Sequence, residues 1–263
     1  NVTSDDEAKR EIFANPAFRK AMSAAIDRAE LNEVAFFGLG EPMAYTGFSP
    51  VPEFAADYAK IGTAFDAAAA NAALDGLGMA DLDGDGFREL PNGDALVLNV
   101  QFATQGIAGE VVEMVAQDWS DVGVQTTLKE VTPDEYRAAQ SANELDVMAW
   151  WRSEPLAIHL GTSESLVPPF GSFFGHRNGM RWAEWIDSNG SAGIEPPAWV
   201  KQLIDDVAAM QAAAPGSAEQ AAPGEAIAKA FTDHMLFIGT VIAPSPTIAH
   251  HRPVNVPEFP PPT

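Results

Sequence analysis

Between residues 96 and 151 the apolar periodicity switches repeatedly, and that alternation constrains the fold more than any other feature of the chain. Leu96, Leu98, Val100 and Phe102 alternate with Val97, Asn99 and Gln101, the two-residue period of a half-buried strand. Residues 107–119 return to helical spacing, with Val111, Val112, Met114 and Val115 apolar. Val124, Thr126 and Leu128 read as a second strand. Thr132-Pro133-Asp134-Glu135 has capping-box spacing and opens another helix, and LDVMAWW (145–151) is a third, largely buried strand. Strand, helix, strand, helix, strand at these lengths predicts an α/β chain with a parallel βαβαβ unit and right-handed crossovers. Such sheets place ligands beyond the carboxyl ends of their strands.

The flanks read as helices and irregular connections. Asn15 caps a helix with Pro16 at its first position, and Phe18, Met22, Ala25 and Ile26 fall on one face. A second helix through Leu31, Val34 and Phe37 ends at Gly38. Residues 41–60 hold three prolines and read as an irregular connection, and Asp66 caps an alanine-rich helix stopping near Gly76. From Arg152 to Pro197 regular pattern fails in a segment rich in Gly, Ser, Pro and aromatics. Helices are expected over 198–213 and 218–236, around the joint AAAPGSAEQAAPG, then a strand over 235–243 and a proline-rich tail.

Composition narrows the function classes. Fifteen basic against 37 acidic residues leave a formal charge of −22, which repels nucleic acid and anionic membrane surfaces and reads as a solubilising exterior. Cysteine is absent, which excludes disulfides, thiolate metal sites and a thiol nucleophile. No run reaches the 18 or so apolar residues of a membrane span, and NVTSDDEAKREIF lacks the basic and apolar regions of a signal peptide, as an already processed chain also would.

Two groups of residues carry candidate chemistry. Asp81, Asp83, Asp85, Gly86, the Phe87 carbonyl and Glu89 match the first nine positions of a calcium loop, but Asn92 stands where a bidentate glutamate would close it. The loop is therefore either a structural calcium site or an Asx-rich turn leading into a strand. No other cofactor is required. The second group is aromatic: Trp150, Trp151, Trp182 and Trp185, with Phe170, Phe173, Phe174 and His176. Trp150 and Trp151 close the third strand, where flat faces can stack on a ligand, and Arg152 and Glu154 follow with charge and hydrogen-bonding groups. Alternating strand geometry sends the two indoles to opposite faces, so at most one of them reaches a ligand. Core packing beneath a long loop is the other reading for each tryptophan.

Enzyme signatures are poor. Gly161-Thr162-Ser163-Glu164-Ser165 lacks the last glycine of a nucleophile elbow, and Gly38-x-Gly40 follows a helix instead of a strand. His250 and His251 are adjacent, not at helical ligand spacing, and Glu110 with Glu113 reads as a solvated helix face. A carbohydrate-active hydrolase and a calcium-dependent non-catalytic binding module remain as rivals to ligand capture, the first needing a spaced carboxylate pair.

Several segments together resemble a known family. NPAFRKAMSAAIDRAELNEV, FDAAAANAALDGLGMADLDGDGFREL, LDVMAWW, RWAEWIDSNGSAGIEPPAWVKQL and PVNVPEF occur in an order similar to the family 5 solute-binding proteins of ABC importers, which carry oligopeptides, dipeptides, nickel chelates and some oligosaccharides. The resemblance implies the C-terminal lobe of a type II periplasmic-binding-protein fold, binding without catalysis, outside the cytoplasm. It implies as partners a small solute, the permease subunits and an N-terminal lobe, with residues 1–13 crossing from that lobe, 14–236 forming the ligand-binding lobe and 237–263 returning. It places the cleft at Trp150, Trp151 and Arg152, and beyond them at Trp182 and Trp185. One departure counts against the peptide-binding branch: WWRSEPLAI lacks the aspartate-rich run typical there.

Overall fold

A computed structural model describes residues 1–48, 51–151, 160, 178–214 and 216–243. Helices α1 (Glu7–Ala14), α2 (Pro16–Ala24) and α3 (Arg28–Phe36) come first, then strand β1 (Glu41–Pro42), two single 3-10 turns (Glu53–Ala55 and Tyr58–Lys60) and α4 (Ala67–Gly76). The predicted α/β unit follows as β2 (Val97–Phe102), α5 (Gly109–Asp121), β3 (Gln125–Glu130), α6 (Pro133–Ser141) and β4 (Val147–Met148). Helices α7 (Met180–Asp187), α8 (Ala198–Ala212) and α9 (Ala218–His234) and strand β5 (Val241–Ile242) complete it.

The three strands of the unit form a parallel sheet in the order β3-β2-β4, so the first strand in sequence is central and the other two flank it. Strand β2 buries Leu98, Val100 and Phe102 and turns Val97, Asn99 and Gln101 the other way, as the alternation requires. The third strand is shorter than expected: only Val147 and Met148 join the ladder, and they are half-buried. Side chains hold it in place where backbone pairing is brief. The Asp146 carboxylate, 9% exposed, accepts from Lys9 Nζ at 2.8 Å, from the Asn99 backbone N–H at 3.1 Å and from Asn99 Nδ2 at 2.9 Å. One side chain thus ties the start of β4 to β2 and to α1.

Local signals account for the helix starts. Asn15, Asp27, Asp66 and Ser217 each accept from a first-turn N–H, and Thr132 with Glu135 forms a complete capping box on α6. The face predicted on α2 is buried through Phe18, Met22, Ala25 and Ile26. The α3 reading needs correction. Leu31 is fully buried, but Val34 is 47% and Phe37 83% exposed, because Phe37 ends the helix in the left-handed region at φ 56° and swings away from the core. Helices α8 and α9 start at Ala198 and Ala218 as expected, and α9 runs through Pro223.

One core gathers α1 to α5 with β2, including Phe18, Met22, Leu31, Leu74, Leu98, Trp119 and Val124. A second joins Phe48 and Ala55 to α8 and α9 through Leu203, Met210, Ile227 and Phe231. Two buried arginines link these bodies. Arg28, 2% exposed, donates to the Gly239 carbonyl through Nε (2.9 Å) and Nη2 (2.8 Å) and to the Ser23 carbonyl through Nη1 (2.8 Å). Arg19 donates to the carbonyls of His234 and Met235, at the C-terminal end of α9. Burial pulls both guanidinium pKa values down to about 10, so they stay cationic in neutral solution. Residues 41–42, read as irregular, pair antiparallel with β5 in a two-stranded ribbon. Residues 1–13, expected as a crossover, carry α1, which contributes Ile12 and Phe13 to the first core.

Candidate functional site

The carboxyl ends of β2 and β4 lie side by side, and what they carry is a turn and two tryptophans. After Phe102 the chain makes a tight turn in which Gly106 N–H donates to the Ala103 carbonyl at 2.7 Å, then starts α5 at Gly109. After Met148 the chain passes that turn, and Trp151 N–H donates to the Gly106 carbonyl at 2.7 Å. Trp150 is half-buried. Its ring lies 5.1 Å from that of Tyr136 at an interplanar angle of 34°, over a small cluster of Val131, Tyr136 and Leu145. Trp151 is 56% exposed. The two neighbouring indoles have therefore separated into one packing residue and one open face. At the far edge of the rim Thr104 Oγ1 donates to Glu130 Oε1 at 3.0 Å, on exposed residues at the ends of β2 and β3.

Tyr136 is the residue beneath this site that sequence reading missed. It has no exposed surface, its hydroxyl has no hydrogen-bond partner among the described residues, and burial pushes the phenol above its ordinary pKa. Its position four residues into a capped helix placed it on α6, but nothing in the sequence set it under Trp150.

The other candidates fall elsewhere. Trp182 is 5% exposed and packs edge-on against Trp199, at 5.8 Å, in a cluster with Val2, Val200 and Leu236. It takes the packing role, its indole sealed in that cluster. Trp185 is half-buried, with Lys201 Nζ 4.9 Å over its ring. Arg152, Glu154, Phe170, Phe173, Phe174 and His176 lie outside the described residues, as do residues 161–165 and His250 with His251. Glu110 and Glu113 are both exposed, a solvated face of α5.

The acidic loop sits at the opposite end of the sheet, since Glu89 bridges Ala80 and Ala95 just before β2. Asp81 spans the turn, accepting from Gly84 N–H at 2.7 Å and Gly86 N–H at 3.0 Å, while Asp83 accepts from Asp85 N–H and Asp85 from Phe87 N–H. These hydrogen bonds form an Asx-rich turn. The same geometry brings Asp81, Asp83 and Asp85 to within 4.8 Å of one another through one oxygen each, and all three are exposed. Glu89 turns back instead, 8% exposed and accepting from Leu82 N–H at 2.6 Å. The loop is anchored by Arg88, which reaches the carbonyls of Val122 and Met79 and the side chains of Asp75 and Asn71. Three carboxylates with free lone pairs suit a hard cation with oxygen ligands.

These features define a lobe of the periplasmic-binding-protein fold, with an aromatic rim at the carboxyl end of a parallel sheet. Residues 2–156 match the model of the bacterial extracellular solute-binding proteins, family 5 middle region, and the chain belongs to that family. Solved structures agree. An oligopeptide-binding protein OppA is 26% identical with a TM-score of 0.77, over 91% of this chain and 39% of its own. MelB of Agrobacterium fabrum C58, in complex with stachyose, is 20% identical with a TM-score of 0.68, over 89% and 34%. NikA of Brucella suis, in complex with Fe(III)-EDTA, is 20% identical with a TM-score of 0.63, over 87% and 42%. The chain thus spans about two-fifths of the length of these structures. A search of curated proteins found no match. No helix among the described residues is long and apolar enough to cross a membrane.

Proposed function

We propose that this chain is the ligand-binding lobe of an extracytoplasmic solute-binding protein that feeds an ABC importer. The observation that carries the reading is Trp151, an indole 56% exposed at the carboxyl rim of the parallel sheet in a chain of family 5. Large apolar faces left open beside a few polar groups favour ligand stacking over packing. The lobe takes in α1, whose Ile12 and Phe13 sit in its first core, and reaches at least to β5, which pairs with β1; an N-terminal lobe faces it. Closure of the two lobes on a small solute, an oligosaccharide, an opine-like molecule or a peptide, shifts the population toward a form that the permease subunits bind. The protein does no chemistry on its cargo. The 81–89 loop, at the other end of the sheet, takes up calcium as a structural ion without touching the solute.

Titration of the two-lobe protein with stachyose, an opine and short peptides, followed by tryptophan emission and melting temperature, tests the reading. At least one class should shift both signals, and Trp151→Ala should weaken that binding by about tenfold, the scale of one lost stacking contact. If no class shifts either signal, the proposal is wrong.

A further inference from the structure

Gly106 is buried, and a Cβ built on it would lie 2.2 Å from Trp150 Cε3, 2.3 Å from Cζ3 and 2.4 Å from Cδ2. Real Cβ atoms do not approach other heavy atoms so closely, so the bare backbone of this turn is itself the wall on which the indole lies. Tyr136, which has no exposed surface, packs against the same indole with ring centroids 5.1 Å apart and limits how far the ring can shift. The contact involves Cδ2, inside the ring system and close to its attachment, so a small rotation of the ring tip does not relieve it. The same glycine then uses its carbonyl to take the N–H of the next residue, Trp151, at 2.7 Å. Gly106 therefore holds one indole down and fixes the backbone from which the other projects.

We infer that Gly106 is a positioning residue for the solute site: it seats Trp150 against both the 103–108 turn and Tyr136, and so sets the open face of Trp151 as the rim's stacking surface for a ring-bearing solute, a sugar or an aromatic side chain. This deepens the function proposed above and rests on it for the word solute, but the positioning itself is a property of the unliganded chain. Any side chain at 106 lifts Trp150 off the turn, breaks or bends the Trp151–Gly106 hydrogen bond, and turns the exposed indole.

The test is fluorine NMR of the chain labelled with 5-fluorotryptophan, its six indoles assigned by single Trp→Phe variants. Gly106→Ala should move the Trp150 and Trp151 resonances and change the acrylamide accessibility of Trp151, leaving Trp119, Trp182, Trp185 and Trp199 in place. Resonances of Trp150 and Trp151 that coincide with wild type would overturn the inference. Because Gly106→Ala can also unfold the chain, its effect is measured again in a Trp150→Ala background. The loss of melting temperature caused by Gly106→Ala should be at least halved there, since the clashing ring is gone; an equal loss in both backgrounds refutes the contact. In the two-lobe protein, Gly106→Ala should weaken binding of stachyose or trialanine, whichever the wild type binds, by roughly tenfold. If the wild type binds neither probe, the proposed function is what suffers, and the unliganded spectra still decide the role of Gly106.

Discussion

Replacing Asp146 by alanine should strike at the point where the sheet is thinnest. Strand β4 contributes only two residues to the ladder, so its placement depends on the side chain just before it. The substitution removes two hydrogen bonds to Asn99, worth about 1 kcal/mol each, and leaves its backbone N–H without that acceptor. It also removes the partner of Lys9, whose side chain is 18% exposed against 10% for Asp146. A pair that is mostly but not wholly buried sits between the surface and interior limits, so we assign it about 1–2 kcal/mol. The sum is about 3–4 kcal/mol. At roughly 2–4 °C per kcal/mol for a domain of this size, the melting temperature should fall by about 6–16 °C. Calorimetry of Asp146→Ala measures the total, and a cycle of Asp146→Asn with Lys9→Met isolates the ion pair. Trp151 should also become more accessible to acrylamide, because β4 leads directly into it. A melting temperature within about 2 °C of wild type, or a coupling energy below about 0.3 kcal/mol, would refute the view that this carboxylate anchors the strand.

Three further outcomes are expected. Tyr136→Phe should leave the fold intact and raise its stability by about 1 kcal/mol, since it deletes a buried hydroxyl with no partner among the described residues; urea denaturation showing a loss would mean the hydroxyl is satisfied. Calcium at 10 mM should raise the melting temperature by about 3–5 °C over chelator at matched ionic strength, the shift expected for a site of about 1 mM affinity, and Asp83→Asn should reduce it; coincident melting curves would leave the loop as a turn alone. Burial and the nearby Arg19 cation lower the His234 pKa, with Lys20 and Lys229 adding to this and Asp233 opposing it, while the imidazole stacks at 3.8 Å on Trp199. The unfolded chain then binds the proton more readily, so the penalty is fully present in acid, below the folded pKa, and disappears as pH rises through the unfolded value near 6.5. Relative to wild type, His234→Phe should lose less stability on acidification across that window, and parallel pH profiles would contradict this.

Periodicity and capping determined the elements that they could reach. The alternation at Leu96–Phe102, the capping box at Thr132 and the caps at Asn15 and Asp66 are interactions between residues a few positions apart, and each lies where its pattern put it. The parallel α/β unit followed, because strands joined by helices of that length have few ways to pack. The order of its motifs was equally direct about the family to which it belongs.

What tertiary structure alone decided is the fate of residues whose partners are distant in sequence. Trp150, Trp151, Trp182 and Trp185 are the same kind of residue in similar local patterns, yet one stacks on Tyr136, one faces solvent, one is sealed against Trp199 and one lies beneath Lys201. Arg28 opens a helix near the start of the chain, and it is buried because the carbonyl of Gly239, more than two hundred positions away, arrives to meet it. Hydrophobic periodicity reports which side of an element is apolar; it carries no information about which other element will cover that side. That is settled only when the layers pack, and the indole left uncovered at Trp151 is where the packing stops.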